Sequence, residues 1–157
     1  MTDITLLLTI AATALNGITA GASLDQTIKQ LPARYRIGSI AYSTYSKAAD
    51  LGNGIPWYVS IGIGAVLLTI GAALAALAQQ VDSKSALPLY VAVGLSILHT
   101  LVTTQAAPTM FSQRQHEGDE AALSLVFNRF ARLNAIRALF QVLTFAALLW
   151  ALVSYGK

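Results

Sequence analysis

The sequence predicts an all-α integral membrane protein, a four-helix bundle with an amphipathic interfacial helix between its first and second spans. Of its 157 residues, 55% are hydrophobic and only 11% are charged, whereas about one-quarter of the residues in soluble domains are charged. Four apolar stretches also reach the roughly 20 residues that a helix needs to cross a hydrocarbon core. They lie at residues 4–23, 57–77, 87–107 and 133–153. We therefore treat residues 1–157 as a single transmembrane domain.

The four stretches are predicted to be helices rather than strands. Each is apolar on all sides instead of alternating, and lipid accepts only helices or closed barrels as spanning structures. The first stretch contains Ala20-Gly21-Ala22, which matches the small-residue pattern of a signal-peptide cleavage site. It begins with Met1-Thr2-Asp3, without the basic residues of a signal peptide, and its apolar run is longer. We expect it to be retained as the first span.

The connection between the first two spans is predicted to hold a helix that lies in the membrane interface. Residues 33–51 mix charged side chains with isoleucines and tyrosines, which is an amphipathic composition. Pro32 is expected to end the first helix, and Gly52-Asn53-Gly54 with Pro56 to stop the interfacial one. A plain solvated loop is the alternative. Residues 79–86 are short enough for a tight hairpin, and the last connection is expected to begin at Pro108.

The distribution of basic residues predicts the orientation in the membrane, since positively charged loops tend to stay in the cytoplasm. Eight of the ten lysines and arginines fall on the side of the first and third connections, and two fall on the other side. We expect a protein of the plasma or inner membrane, with its termini outside and its long loops in the cytoplasm. The eight residues are Lys29, Arg34, Arg36, Lys47, Arg114, Arg129, Arg132 and Arg137, against Lys84 and Lys157.

Polar side chains inside spans are functional candidates because their exposure to lipid is costly. Three of them lie at a similar depth, about 12–14 Å along their helices when counted from the long-loop side. They are Asn16 in the first span, His99 in the third and Arg137 in the fourth. We therefore predict a cavity at that level, below a mouth formed by the two longer loops. The candidates for its wall are Asn16, Ser96, His99, Thr103, Asn134, Arg137 and Gln141.

Each of these residues also has a purely structural interpretation. Asn16 can form a hydrogen bond to a neighbouring helix, and His99 can be a packing residue with its ring nitrogen satisfied. Arg137 can extend toward the interface and contribute only to topology. Gly17 and Gly21 form a G-x-x-x-G pattern, which we interpret as a notch for helix packing rather than as part of a ligand site.

Several function classes are excluded by residues that the chain lacks. It has no cysteine, so thiol nucleophiles, disulfides and thiolate-bound metals are ruled out. Zinc-protease, nucleotide-binding and hydrolase motifs are absent, and no basic stripe points to nucleic acid. His116, Glu117 and Asp119 form a polar cluster that could take a metal, but a solvated turn is the simpler interpretation. We predict neither a metal nor a bound cofactor.

Two segments resemble a known family. The first segment is Leu15-Asn16-Gly17-Ile18-Thr19-Ala20-Gly21 through Leu31-Pro32, and the second is Phe130-Ala131-Arg132-Leu133-Asn134-Ala135-Ile136-Arg137. They are similar to the first and last helices of a four-helix membrane family that includes fungal anthrone oxygenases. In that family an Asn/Gly-rich first helix leads to a proline. The last helix opens with an aromatic residue followed by Asn-x-x-Arg.

The resemblance implies the oxidation of a flat, polycyclic phenol by molecular oxygen without a bound cofactor. His99 would then be the base and Arg137 would stabilise the oxyanion, while Asn16 and Asn134 would orient the substrate's oxygens. On this hypothesis His99 and Arg137 are catalytic, and the other five candidates bind substrate.

Two other function classes stay open. The first is a non-catalytic membrane module, either an accessory subunit or a protein that binds a lipid or quinone. The second is a transporter or channel, which the small size and the lack of paired broken helices disfavour. The expected partners are membrane lipids and a hydrophobic small molecule, and a homo-oligomer or a larger membrane complex is also left open. Nucleic acid is not expected.

Overall fold

The computed structural model describes residues 4–155, and four long helices account for nearly all of them. We name them α1 (Ile4–Ile37), α2 (Ser39–Ala78), α3 (Ser83–Gln115) and α4 (Glu120–Tyr155). All four are long and apolar enough to cross a membrane. No strand occurs within the described residues. The prediction of an all-helical protein with four apolar helices is confirmed.

The helices follow one another in an up-and-down order around a ring. α1 packs against α2 and α4, and α3 packs along α4, whereas contacts between α2 and α3 are sparser. The single residue between α1 and α2 and the short turn between α3 and α4 share one end of the bundle, which we call the loop end. The turn between α2 and α3 lies at the other end.

The first helix continues past the point at which the sequence predicted its end, so that prediction is wrong. A π-helical turn, Gln26–Gln30, precedes Pro32, and the amide of Leu31 donates to the carbonyl of Gln26. The wider turn shifts the carbonyl with which the proline ring would otherwise clash, so the helix tolerates the missing N–H group. α1 ends only at Ile37, and it is followed by Gly38, whose φ of 85° suits glycine.

Residues 33–51 therefore do not form the single helix that we predicted. Gly38 divides them between the end of α1 and the start of α2. The predicted interruption at Gly52 is confirmed as a kink, because the backbone there is non-helical, with φ −94° and ψ −107°. The predicted stop at Pro56 is wrong, because the helix continues through this residue to Ala78.

The predicted third and fourth spans likewise lie inside longer helices. α3 continues through Pro108 to Phe111 and a final 3-10 turn, and α4 starts at Glu120, well before residue 133. The sequence windows detected only the apolar part of each helix. Helices of this length extend beyond the roughly 30 Å that a hydrocarbon core requires.

Two hydrophobic clusters hold the bundle together, and they differ in side-chain size. The cluster away from the loop end is rich in alanine, which lets the helices approach closely. The cluster at the loop end is built from larger side chains, with the ring of Tyr42 packed edge-on at 4.9 Å from that of Phe127. We call the loop-end part the cap. Its buried core consists of Leu31, Tyr42, Leu51, Ala106, Met110, Leu123, Phe127 and Phe130.

Polar contacts close the cap by joining its two turns. The carboxylate of Glu120 accepts hydrogen bonds from the amides of Ser39 at 2.5 Å and Ile40 at 3.0 Å, so it caps the first turn of α2. Lys47 of α2 forms an ion pair with Glu117 in the turn before α4. The first and third connections of the chain are thus tied to each other.

The G-x-x-x-G pattern of α1 acts as a packing notch at one of its two positions. A Cβ atom added to Gly17 would lie 3.0 Å from the ring of Phe145 in α4, so a larger residue would force this ring to move by a few tenths of an ångström. At Gly21 the same added atom would meet no neighbour within 4 Å. The packing interpretation is therefore confirmed for Gly17 alone.

Candidate functional site

A cavity of about 450 Å³ lies between the two hydrophobic clusters, bounded by side chains from all four helices. Its volume falls within the range of small-molecule sites. Most of the wall is apolar, and α2 supplies the larger share of it. The apolar side chains of α2 at the wall are Leu51, Ile55, Val59, Ile63, Val66 and Leu67.

The polar side chains at the wall include four of the seven that the sequence singled out. These four are Thr103, His99, Arg137 and Gln141. Asn16, Ser96 and Asn134 do not line the cavity, and all three are almost fully buried in the surrounding bundle. The predicted set thus divides into residues that a ligand can touch and residues that lie behind them.

Arg137 is held inside the bundle by two amide side chains. Its Nη2 donates to Oδ1 of Asn134 at 2.6 Å and to Oε1 of Gln26 at 3.3 Å. Asn134 is itself fixed, because its Nδ2 donates to Oγ1 of Thr27 at 2.8 Å. The Nε atom of Arg137 is buried and finds no acceptor among the described residues. The guanidinium is therefore positioned, yet its hydrogen-bonding capacity is incomplete.

His99 faces the cavity with one ring nitrogen engaged. Its Nδ1 lies 3.1 Å from the main-chain carbonyl of Arg137. Since a carbonyl can only accept, Nδ1 carries the proton, and Nε2 of the neutral ring keeps its lone pair. Among the described residues no group is hydrogen-bonded to Nε2. The arrangement leaves a basic nitrogen in the same cavity as a guanidinium.

Gln141 and Asn16 join three helices beside the cavity. Nε2 of Gln141 donates to Oδ1 of Asn16 and to Oγ1 of Thr19, both at 2.8 Å. Asn16 in turn donates to Oγ1 of Thr69 in α2 at 3.1 Å and to the carbonyl of Ala12. The interpretation of Asn16 as a residue that binds neighbouring helices is thus confirmed.

Sequence reasoning missed Asp50 and Tyr58, which also line the cavity. Asp50 is only 9% exposed, and its Oδ2 accepts a hydrogen bond from Oγ of Ser46 at 2.9 Å. The sequence places it in the predicted interfacial segment, because it is charged and lies outside the apolar stretch. The spacing of Asp50, Leu51, Ile55 and Tyr58 along one helical face was the signal that could have placed it.

The polar cluster at the turn between α3 and α4 is dispersed in the structure. Glu117 pairs with Lys47, and Asp119 accepts a hydrogen bond from the amide of Ala122 at the start of α4. His116 lies instead in a separate groove between α3 and α4. Across residues 4–155, no three such side chains come together in a way that could hold a metal ion.

Comparison with known proteins adds no relative: no protein family, no curated protein and no solved structure matches this chain. The resemblance to the family that includes anthrone oxygenases therefore remains a prediction.

Proposed function

We propose that this protein crosses a membrane four times and oxidises a flat, hydrophobic phenol or quinol with molecular oxygen, without a bound cofactor. One observation carries the proposal: a neutral His99 with a free Nε2 and a partly satisfied Arg137 share the wall of a largely apolar cavity. A base and a cation in a water-poor site are the two groups that the formation of a phenolate or carbanion requires.

The outer surface of the bundle supports insertion into a membrane. Large apolar side chains at least half exposed occur on every helix, far more than a monomeric soluble protein exposes. Examples are Leu7, Leu67, Leu74, Leu101, Leu139 and Val153.

The distribution of charge supports a cytoplasmic loop end. Arg137 is left out of the count here because it lines the cavity. Among the remaining lysines and arginines of the described residues, seven lie in the loop-end half of their helices and only Lys84 lies near the opposite turn. The positive-inside rule then places the loop end in the cytoplasm and the termini outside. The plasma or inner membrane is the proposed location.

The proposed reaction converts a CH₂ group of an anthrone-type substrate into a carbonyl. Loss of one proton to Nε2 of His99 gives a conjugated oxyanion, which Arg137 stabilises. Oxygen accepts electrons from this anion and forms a C–O bond, giving a peroxide that takes the proton back from His99. Loss of the second C–H proton together with hydroxide then releases water. The balance is CH₂ plus O₂ to C=O plus H₂O, so no further reductant or oxidant is needed.

The second candidate is a non-catalytic module that holds a quinone or lipid. The observation that favours it is the structural use of the predicted polar residues, because Asn16 and Asn134 hold helices and side chains in place and do not line the cavity. This function requires the cavity but no turnover. The two candidates therefore differ in whether oxygen is consumed.

The deciding experiment measures oxygen uptake and quinone formation by the protein in liposomes that contain an anthrone. His99→Asn is the informative variant, because its amide can still donate to the carbonyl of Arg137 but offers no base. The rate should fall by about 100-fold or more, as for the loss of a general base. Ser96→Ala is the matched control, since this α3 residue is buried away from the cavity, and it should keep the wild-type rate.

Two results would overturn the oxygenase proposal. One is oxidation no faster than in protein-free liposomes, and the other is a His99→Asn variant as active as the wild type. Binding of the anthrone by the wild type without oxygen uptake would favour the non-catalytic module.

A further inference from the structure

We infer that Asp50 determines which ligands the cavity accepts. Its carboxyl group accepts a hydrogen bond from a hydroxyl group of the ligand, while Arg137 binds a carbonyl or oxyanion oxygen of the same molecule. The inference rests on the proposed function, because it assumes that the cavity binds a ligand. It adds a residue and a ligand feature that the oxidation itself does not require.

Asp50 is a buried carboxyl group that the protein satisfies only in part. Its exposed fraction is 9%, and its Oδ2 accepts a hydrogen bond from Ser46 one turn earlier in α2. No described residue hydrogen-bonds to Oδ1. The ion pairs among the described residues are Lys29 with Asp25 and Lys47 with Glu117, so none involves Asp50. A buried carboxyl group that forms no ion pair is costly. Arg137 acts on Asp50 only through its charge, across the cavity, which points to a hydrogen-bonding partner that the protein itself does not supply.

Arg137 on α4 has hydrogen-bond donors without acceptors, which complements the unpaired acceptor of Asp50. Its Nη2 is engaged by Asn134 and Gln26, but Nε is buried without an acceptor and no described residue binds Nη1. Both Asp50 and Arg137 line the same cavity, yet they form no ion pair with each other. Hydrogen bonds to neighbouring groups hold each of them on its own wall. The cavity between them therefore offers an acceptor on α2 and a donor on α4.

A ligand that satisfies both walls must carry a donor and an acceptor. A hydroxyl group can donate to Asp50, and a carbonyl or phenolate oxygen can accept from Arg137. The rest of such a molecule has to be apolar, because Val59, Ile63 and Val66 form the wall alongside. An ether in place of the hydroxyl would remove the donor and press a methyl group against the carboxyl. Sites built to hydrogen-bond a hydroxyl reject analogues that lack it.

The test compares two probes that differ only in this group, β-hydroxyanthraquinone and its methyl ether. Their binding to the protein in liposomes is followed by ligand fluorescence. The wild type should bind the hydroxy probe about tenfold or more tightly than the ether, the value of one good hydrogen bond to a charged group. Asp50→Leu should bind both probes alike. Asp25→Asn removes a carboxylate outside the cavity and should keep the full preference.

Asp50→Asn makes the inference testable even if the leucine variant does not fold. It preserves size and an acceptor for Ser46 but removes the negative charge, and it should lose most of the preference. Equal binding of the two probes by the wild type, or full preference in Asp50→Asn, would overturn the inference. Oxygen uptake reports separately on the proposed function. A preference for the hydroxy probe without oxygen uptake would contradict the oxygenase proposal alone. Oxygen uptake without this preference would contradict the role of Asp50 alone.

Discussion

Replacing Gly62 by leucine should stabilise the protein and at the same time weaken ligand binding. Gly62 lines the cavity from α2, and a Cβ atom built there meets no neighbour within 4 Å. Gly94 of α3 has equally open surroundings, but it is exposed and does not line the cavity. Gly94→Leu is the matched control, because both changes remove a helical glycine, which costs about 1 kcal/mol relative to alanine.

The difference in stability between the two variants follows from the cavity. A leucine-sized void measures up to about 150 Å³, a third of the cavity of about 450 Å³. At about 24 cal/mol per Å³ of cavity, filling it completely gives an upper limit of about 3.6 kcal/mol. Ile63 and Leu67 beside the glycine are 55% and 63% exposed, so the cavity is open on this side. About half the limit, roughly 2 kcal/mol, is therefore expected.

Thermal unfolding and ligand binding are the two measurements. At about 2–4 °C per kcal/mol for a chain of this size, the Tm of Gly62→Leu should lie roughly 4–8 °C above that of Gly94→Leu. Affinity for β-hydroxyanthraquinone should fall in Gly62→Leu and stay at the wild-type level in Gly94→Leu. A general defect would lower both Tm and affinity. Equal behaviour of the two variants would refute the cavity as the binding site.

Three further predictions concern other parts of the structure. Asn134→Leu removes the closer of the two acceptors of Arg137, so the rate of oxygen uptake should fall about 10- to 150-fold, the equivalent of a charged hydrogen bond worth about 1.5–3 kcal/mol. An unchanged rate would contradict that positioning role. Phe127→Ala removes a fully buried ring from the cap and should lower the free energy of unfolding by about 3–5 kcal/mol, measured by thermal denaturation against wild type. The ion pair with Lys47 lowers the pKa of Glu117 below its usual 4.5. The stabilising effect of the pair is therefore complete above pH 4.5 and is lost as the pH falls through the lowered pKa. The Tm should therefore fall more steeply with acidification in the wild type than in Lys47→Met, and identical profiles would contradict the pairing.

The number of helices could be predicted from the sequence, but their ends could not. Apolar runs of about 20 residues are a strong signal, and each lies inside one of the four helices. The sequence predicts helix ends at Pro32 and Pro108 because proline usually breaks a helix. The π-helical turn before Pro32 accommodates the ring, and packing against the cap continues α3 beyond Pro108. The first cause is a local hydrogen-bond geometry and the second is a tertiary contact, and the residue types alone indicate neither.

The candidate site was predictable only where polar residues interrupt an apolar helix. His99 and Arg137 stand out in such helices, and both line the cavity. Ser96 shares a helical face with His99 in the sequence pattern, yet the helix turns it away from the cavity wall. Asp50 lies in a polar stretch, where only its spacing with Leu51, Ile55 and Tyr58 along one helical face indicates that it is buried. The packing of the cap around Asp50, which buries its side chain, is known only from the structure.

The hydrogen bonds between helices divide the cavity into two unlike halves. Asn16 with Gln141, and Thr27 with Asn134, pin α1 to α4 at two levels, so a slide of one helical turn, about 5.4 Å, would break both. Between α2 and α3, by contrast, the side-chain hydrogen bonds of the described residues all involve Gln113 in the cap. Below the cap these two helices are held by apolar packing and by the turn that joins them at the far end. The contact between α1 and α4 is thus fixed by directional hydrogen bonds, whereas the contact between α2 and α3 depends on how well apolar side chains fit together.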